Sequence, residues 1–308
     1  MTRRLNLLIA VAGLICVSAG VARAADKIAL VVSTLDNPFF VTLADGAKAK
    51  AKALGYDLVI VDSQNDPAKE LSNVEDVLDQ NIKVLLLNPV DSDAARAAVR
   101  AANDGNVPVV TLDRDAKGAK VICHIASDNV HGGRLAGELI IEKLGGHGNV
   151  AELEGQPGTD AARDRSKGFR EAIAGSPGIK LVASQPANFD RTQGLNVMEN
   201  MLEAHPDINA VFAANDEMAL GAVKAIQAAG RKIIVVGFDG TRDGIAAVKN
   251  GSMYATIAQQ PALIGSLGVD EASNVIHGQQ VPASVSVPLK AVTKGPPAEH
   301  DRQQASTR

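Results

Sequence analysis

Tryptophan is missing from this chain, and aromatic residues of all kinds make up only 3% of it. The six phenylalanines are therefore scarce, and a place where two stand side by side needs a reason. Cysteine is almost missing as well. Cys16 falls in the amino-terminal apolar stretch and Cys123 in the run Val121-Ile122-Cys123. With residues 1–24 removed one thiol remains, so no intramolecular disulfide can form. Cys123 then reads as a buried, inert thiol in a strand-like run. Without disulfides an exported chain must rely on large apolar cores, which 308 residues can supply in roughly two domains. An excess of positive charge is also lacking. The formal net charge is −4, which gives no support for nucleic-acid binding. The six histidines are scattered without metal-ligand spacing, and 239–244 lacks the spaced ligands and terminal Glu of a calcium loop. No metal or other cofactor is implied.

Nor is there a long hydrophobic run. The apolar stretch 7–17 is too short to span a membrane comfortably. Arg3 and Arg4 precede it and Ala22-Arg23-Ala24 follows, the layout of a secretory signal over residues 1–24 with Ala24 last before cleavage. A lipoprotein site at Cys16 is the competing reading, and Gly13-Leu14-Ile15 before it match that pattern poorly. Removing the signal takes away Arg3, Arg4 and Arg23 and no acid, leaving a more acidic exported product.

What the chain does contain is alternation. β-Branched runs at 28–32, 57–61, 84–87 and 109–112 are separated by Ala-rich amphipathic stretches at 41–54, 68–79 and 93–103. A second set follows, with strands at 150–153, 180–184, 210–213 and 233–238 and helices at 161–174, 191–204 and 217–229. This is the pattern of βαβ units around parallel sheets, in two similar α/β halves. Gly145-Gly146-His147-Gly148 precedes a strand, so it reads as a helix end rather than a phosphate loop. Extended segments at 254–258 and 285–288 suggest that the chain returns to the first half and crosses again.

Polar residues recur at matching intervals in the two halves. Asn37, Asn88 and Asp113 are 51 and 25 apart; Arg165, Asn215 and Asp239 are 50 and 24 apart. Each series falls after the first, third and fourth strand of its half, the edge where open α/β sheets bind ligands. Helix capping and turn formation are the ordinary roles of Asn and Asp there, and for a single position that reading outweighs the functional one. The first series opens on Asn37-Pro38-Phe39-Phe40, two scarce rings beside an amide at a strand end. Rings next to hydrogen-bonding groups suit a ligand with an apolar face and polar edges, such as a sugar. Phe169, Phe212 and Phe238 read as core.

Longer motifs carry a resemblance. ALVVSTLDNPFF (29–40), LNPVDSDA (87–94), TLDRDA (111–116), HIASDNVHGG (124–133), GTDAARDR (158–165), QPANFDRTQGLNVM (185–198), FAANDEMALGA (212–222), VVGFDGT (235–241) and ATIAQQP (255–261) occur in order. From 27 to about 294 the chain resembles the periplasmic ribose-binding family of bacterial ABC import systems. The resemblance implies two Rossmann-like domains joined by three crossover hinge segments, the type I periplasmic binding architecture. It implies boundaries at 27–126 plus 260–288 and at 127–259 plus 289–294. Residues 295–308, with Pro296-Pro297 and many polar residues, lie beyond the match and read as a disordered tail. The resemblance also implies ligand-binding roles for Asn37, Phe39, Phe40, Asn88, Asp113 and Arg114 on one side. Arg165, Phe189, Asn215 and Asp239 lie on the other, with Gln259 on a crossover. Asp36 stands where the family often has Asn, and no sugar contact is assigned to it.

The chemistry of that set is coherent. A pentose hydroxyl donates and accepts, so Asp113 and Asp239 accept, Arg114 and Arg165 donate, and the amides do either. Phe39, Phe40 and Phe189 would hold the C–H faces. The implied function is capture of D-ribose, or a related pentose or hexose, by a non-catalytic monomer in the periplasm. It would deliver the sugar to a membrane permease and, in some bacteria, to a chemoreceptor. Closure about a hinge is the behaviour ascribed generally to periplasmic binding proteins. A sugar-responsive repressor shares such a core but needs a basic DNA-binding headpiece, and this chain begins with a signal instead. An enzyme using Asp113 and Asp239 as paired carboxylates would need a nucleophile–base arrangement that the motifs do not contain.

Overall fold

The computed structural model describes residues 25–295. The chain opens with β1 (Lys27–Val32), α1 (Pro38–Leu54), β2 (Asp57–Asp62), α2 (Pro67–Leu78), β3 (Val84–Leu87), α3 (Arg96–Asp104), β4 (Val109–Leu112) and β5 (Cys123–Ser127). It continues with α4 (Asn129–Leu144), β6 (Gly148–Glu154), α5 (Asp160–Ala174), β7 (Ile179–Pro186), α6 (Arg191–Ala204), β8 (Ile208–Ala213) and α7 (Asp216–Ala228). After these come β9 (Ile234–Asp239), α8 (Arg242–Asn250), β10 (Ala255–Ala258), α9 (Pro261–Ile276), β11 (Ser284–Val287) and β12 (Lys290–Thr293). The alternation foreseen from the sequence is present in both halves.

Two sheets form, with strand orders β11-β5-β4-β3-β1-β2 and β12-β10-β9-β8-β6-β7. All pairings are parallel except β10 with β12. The chain passes from one sheet to the other three times, between Ser127 and Asn129, between Ala258 and Pro261, and between Val287 and Lys290. The segment at 254–258, expected among those returning to the first half, instead forms β10 on the second sheet; the return follows it.

Side-chain alternation along β1 shows why helices must cover both faces. Ile28, Leu30 and Val32 join Phe39, Phe40, Leu43 and Ile264 in one core, under α1 and α9. Ala29 and Val31 join Val74, Val77 and Val99 in another, under α2 and α3. With both faces buried, a strand reads as a near-continuous apolar run, as β3 does throughout, β1 after Lys27 and β4 apart from Thr111. Cys123 is likewise buried, and burial pushes its thiol up to about 11. Phe169, Phe212 and Phe238 are wholly buried in the second half's core.

Order reversal in each sheet places its second strand outside its first, so a crevice opens at the carboxyl ends of the strands there. Both crevices are furnished by the segments that follow β1, β3 and β4 and their counterparts β6, β8 and β9.

Candidate functional site

Asn37 ends the turn after β1 and caps the start of α1. Its side-chain oxygen accepts from the Phe39 N–H at 2.9 Å and Pro38 occupies the first helical position, a favourable helix start. That cap fixes the direction of Phe39 and Phe40, which meet edge to face with centroids 5.2 Å apart. In the second half Asn215 caps α7 through the Met218 N–H and donates to the Phe189 carbonyl at 3.2 Å. The capping role and the site role fall on the same residues.

Asp113 and Asp239 follow β4 and end β9 with φ of 63° and 110°, and Phe189 has φ of 59°. Positive φ in residues other than glycine is uncommon and concentrates where geometry is functionally constrained. Arg165 departs from the spacing argument. It lies inside α5 rather than directly after a strand, and reaches inward from the helix. Its Nε donates to Asn129 Oδ1 at 2.8 Å and its Nη1 to the Ala214 carbonyl at 2.8 Å and to Asp239 Oδ1 at 3.5 Å. The guanidinium lies 3.9 Å from the centroid of Phe238 and 5.6 Å from that of Phe189. Arg114 has its guanidinium 5.1 Å from the Phe40 centroid and 5.5 Å from that of Phe189, with Nη1 donating to the carbonyls of Pro89 and Val90.

Around these groups the two halves face one space lined by Asn37, Phe39, Phe40, Asp113, Arg114, Ala161, Arg165, Phe189, Asn215 and Asp239. All of the sequence-derived residues line it except Asn88 and Gln259. Asn88 sits behind the wall, accepting from the Ser33 N–H and hydroxyl and donating to the Leu112 carbonyl at 3.0 Å. It thereby anchors the strand end from which Asp113 springs. Gln259 donates to Asp239 Oδ1 at 2.8 Å. Two further residues take part that sequence reasoning missed. Ala161 lines the space, its small side chain giving no chemical signal. Asn129 orients Arg165 through a contact 36 residues away in the chain, which no local sequence signal marks.

Electrostatically the site is a buried pair of carboxylates facing a pair of guanidiniums. Burial raises Asp113 above the usual carboxylate range, with Arg165 and Arg114 pulling it back. Burial raises Asp239 well above that range, Arg165 opposing and Asp216 adding to the rise. Burial lowers Arg114, opposed mainly by Asp113. Asp113 Oδ1, Arg114 Nε and Gln259 Oε1 are buried with no hydrogen-bond partner in the protein. Leaving such atoms unpaired costs about 1–3 kcal/mol each, so the site is built to take up a ligand bearing both donors and acceptors. With aromatic faces on both sides and no nucleophile–base pair among the lining residues, it suits recognition of a small polyol ring rather than catalysis.

Comparison with known proteins agrees with this geometry. Residues 28–280 match the family described as periplasmic binding protein domain. The ribose import binding protein of Haemophilus influenzae is 56% identical over 273 residues, covering 89% of this chain and 93% of that one. That of Escherichia coli is 55% identical over 295 residues, covering 96% and 99%. Among solved structures, an ABC transporter periplasmic solute binding protein of Actinobacillus succinogenes with bound D-allose superposes with a TM-score of 0.82. It is 36% identical and covers 87% of this chain and 98% of the other.

Proposed function

The chain belongs to the periplasmic binding protein family, and from that premise we propose that it captures D-ribose between its two halves for import. The family consists of solute-binding components of ABC importers, not enzymes, and its members work in the periplasm. The observation that carries the ribose reading is the convergence of Asn37, Asp113 and Arg114 with Arg165, Asn215 and Asp239 from opposite sheets around one space. All of the sequence-derived residues are retained in the proposal. Asn88 serves from behind the wall, and Gln259 presents its unpartnered Oε1.

In this reading 27–126 plus 260–288 and 127–259 plus 289–294 are the two domains, and the three passages between the sheets act as the hinge. The sugar touches both domains only when they are closed, so its differential affinity drives closure. The closed monomer presents a joint face to the membrane permease, and to a chemoreceptor where one exists. The export signal at 1–24, with cleavage after Ala24, and the tail at 295–308 complete the proposal; residues 1–24 and 296–308 lie outside the described residues.

Calorimetry against ribose, arabinose, xylose, galactose and allose tests it. Ribose is expected to bind at least tenfold more tightly than the others. Equal affinities, or none for ribose, defeat the assignment. The allose-bound relative makes a hexose the specific rival, so preference for allose would transfer the site to that sugar. Arg165→Ala removes charged hydrogen bonds worth roughly 1.5–3 kcal/mol, so ribose affinity should fall about 10- to 150-fold while thermal unfolding stays cooperative. Unchanged affinity would remove Arg165 from the site.

A further inference from the structure

Glu70, in the first turn of α2, is wholly buried although no lining residue of the site belongs to that helix. Its Oε2 accepts from the Val90 N–H at 2.6 Å, in the loop that leaves β3. The carbonyl of the same residue accepts from Arg114 Nη1 at 3.2 Å, and from Gln156 Nε2 in the opposite half at 3.4 Å. The neighbouring Pro89 carbonyl accepts from Arg114 Nη1 at 3.1 Å. Pro89 has no N–H, so in this stretch the Val90 N–H is the donor through which the loop can be held from behind.

A guanidinium is planar, so two carbonyls fixing Nη1 also set the direction of Nε. That Nε is buried without a hydrogen-bond partner in the protein, its nearest charge being Asp113 Oδ2 at 4.0 Å. We propose that Glu70 is a positioning residue for ligand recognition: it grips the Val90 peptide, which aims the Arg114 guanidinium into the cleft and receives Gln156 from across it. The inference rests on the reading of Arg114 as a sugar contact.

Two further facts fit. Burial pushes Glu70 up to about 7, with the Val90 N–H and Arg114 opposing and Asp91 adding to the rise. A neutral amide would accept from Val90 without that desolvation, so the carboxylate's additional effect is its field on Arg114, the charged partner it faces. Arg114 is also clamped between Phe40 and Phe189, so it has little room to find a new direction if its carbonyl anchors shift.

The test compares wild type, Glu70→Gln and Glu70→Asp, each with and without Arg114→Ala. Glu70→Asp keeps the charge but is one methylene too short to reach Val90, and should weaken ribose about tenfold. Glu70→Gln keeps the acceptor and should stay within about threefold. On the Arg114→Ala background neither change should weaken binding further. Undiminished affinity in Glu70→Asp, or equal losses on both backgrounds, overturns the proposal. A second readout needs no sugar: the Arg114 Nε–H resonance of ligand-free protein, followed against pH by NMR. Beyond the effect of Asp113, 4.0 Å from that Nε and kept in both proteins, wild type should show a step near pH 7 that Glu70→Gln lacks; identical titrations overturn the proposal even if Glu70→Asp fails to fold. Should wild type bind no ribose, the functional reading falls while the resonance still decides the role of Glu70.

Discussion

Asp113 and Asp239 occupy equivalent places at the ends of β4 and β9, each with a backbone conformation that L residues seldom adopt. A left-handed turn at a strand end throws the carboxylate back over the sheet edge and into the cleft, whereas an extended residue there would carry the chain onward. Strain is thus spent on aim. It also sets a pH dependence whose sign can be worked out. Burial raises both carboxyls in the free protein, with Arg165 the leading opposing charge for each. A sugar hydroxyl donating to a carboxylate favours its ionised form, so each bound pKa lies below the free one. Ribose affinity should therefore be level above the free-protein values and fall as pH drops through them. Calorimetry from neutral to acidic pH checks this, and affinity that strengthens on acidification contradicts it. The polar series was legible from spacing because the two halves repeat the same turns. The inward reach of Arg165 was not, because its direction depends on Asn129 and the Ala214 carbonyl, contacts between segments far apart in the chain.

Pairs of helices in this protein approach through glycines that face one another. In α4 and α5, a methyl on Gly133 would overlap the Arg165 carbonyl and one on Gly168 would overlap the Val130 carbonyl. Gly46 with Gly265 in α1 and α9, and Gly194 with Gly221 in α6 and α7, repeat the arrangement. These contacts explain which elements the sequence concealed. The strands and most helices announce themselves by alternation and apolar periodicity, but α4 carries Gly132, Gly133 and Gly137, and glycine in a helix ordinarily counts against one. Only its end was readable, at Gly145, where φ is 64°. The short α8 and the uncapped α9 gave weak signals for their own reasons, and β12 is fixed by its antiparallel partner β10 rather than by local preference. Because the backbone facing Gly133 belongs to Arg165 itself, Gly133→Ala should destabilise the fold by roughly 1–3 kcal/mol and also weaken ribose binding. Gly145→Ala, open to solvent but left-handed, should cost about 1–2 kcal/mol with affinity unchanged. Denaturant unfolding with calorimetry separates the two; a Gly133→Ala variant with wild-type affinity would show that the helix contact does not hold Arg165 in place.

At the scale of the whole molecule the question is what keeps two sheets closed over a cleft. Part of the answer lies outside the lining residues. Asp160, at the start of α5, accepts from the Ser92 hydroxyl at 3.0 Å and from the Asp115 N–H at 3.0 Å, while its own N–H donates to Ser92 Oγ at 3.1 Å. The Ser92 N–H donates to the Gly158 carbonyl at 3.1 Å beside them. These bonds tie the loops after β3 and β4 to the loop after β6, and they exist only while the halves are apposed. Each exchanges with water on opening, so each contributes about 0.5–1.5 kcal/mol, and the set amounts to a few kcal/mol. That is the size of a typical gap between two conformers of one protein. Such a seam would bias the free protein toward closure and lower what the sugar must supply. Asp160→Ala breaks no hydrogen bond to a lining polar group, so it should act mainly on the equilibrium, with a smaller effect through the charge that Asp113 and Arg114 feel. Its ligand-free radius of gyration by small-angle scattering should exceed that of wild type, and ribose affinity should fall about tenfold. Saturating ribose should return the radius to the wild-type closed value, because the closed geometry itself is untouched. An unchanged free radius together with unchanged affinity would mean that the seam merely accompanies closure, and that the sugar and the three passages between the sheets set it unaided.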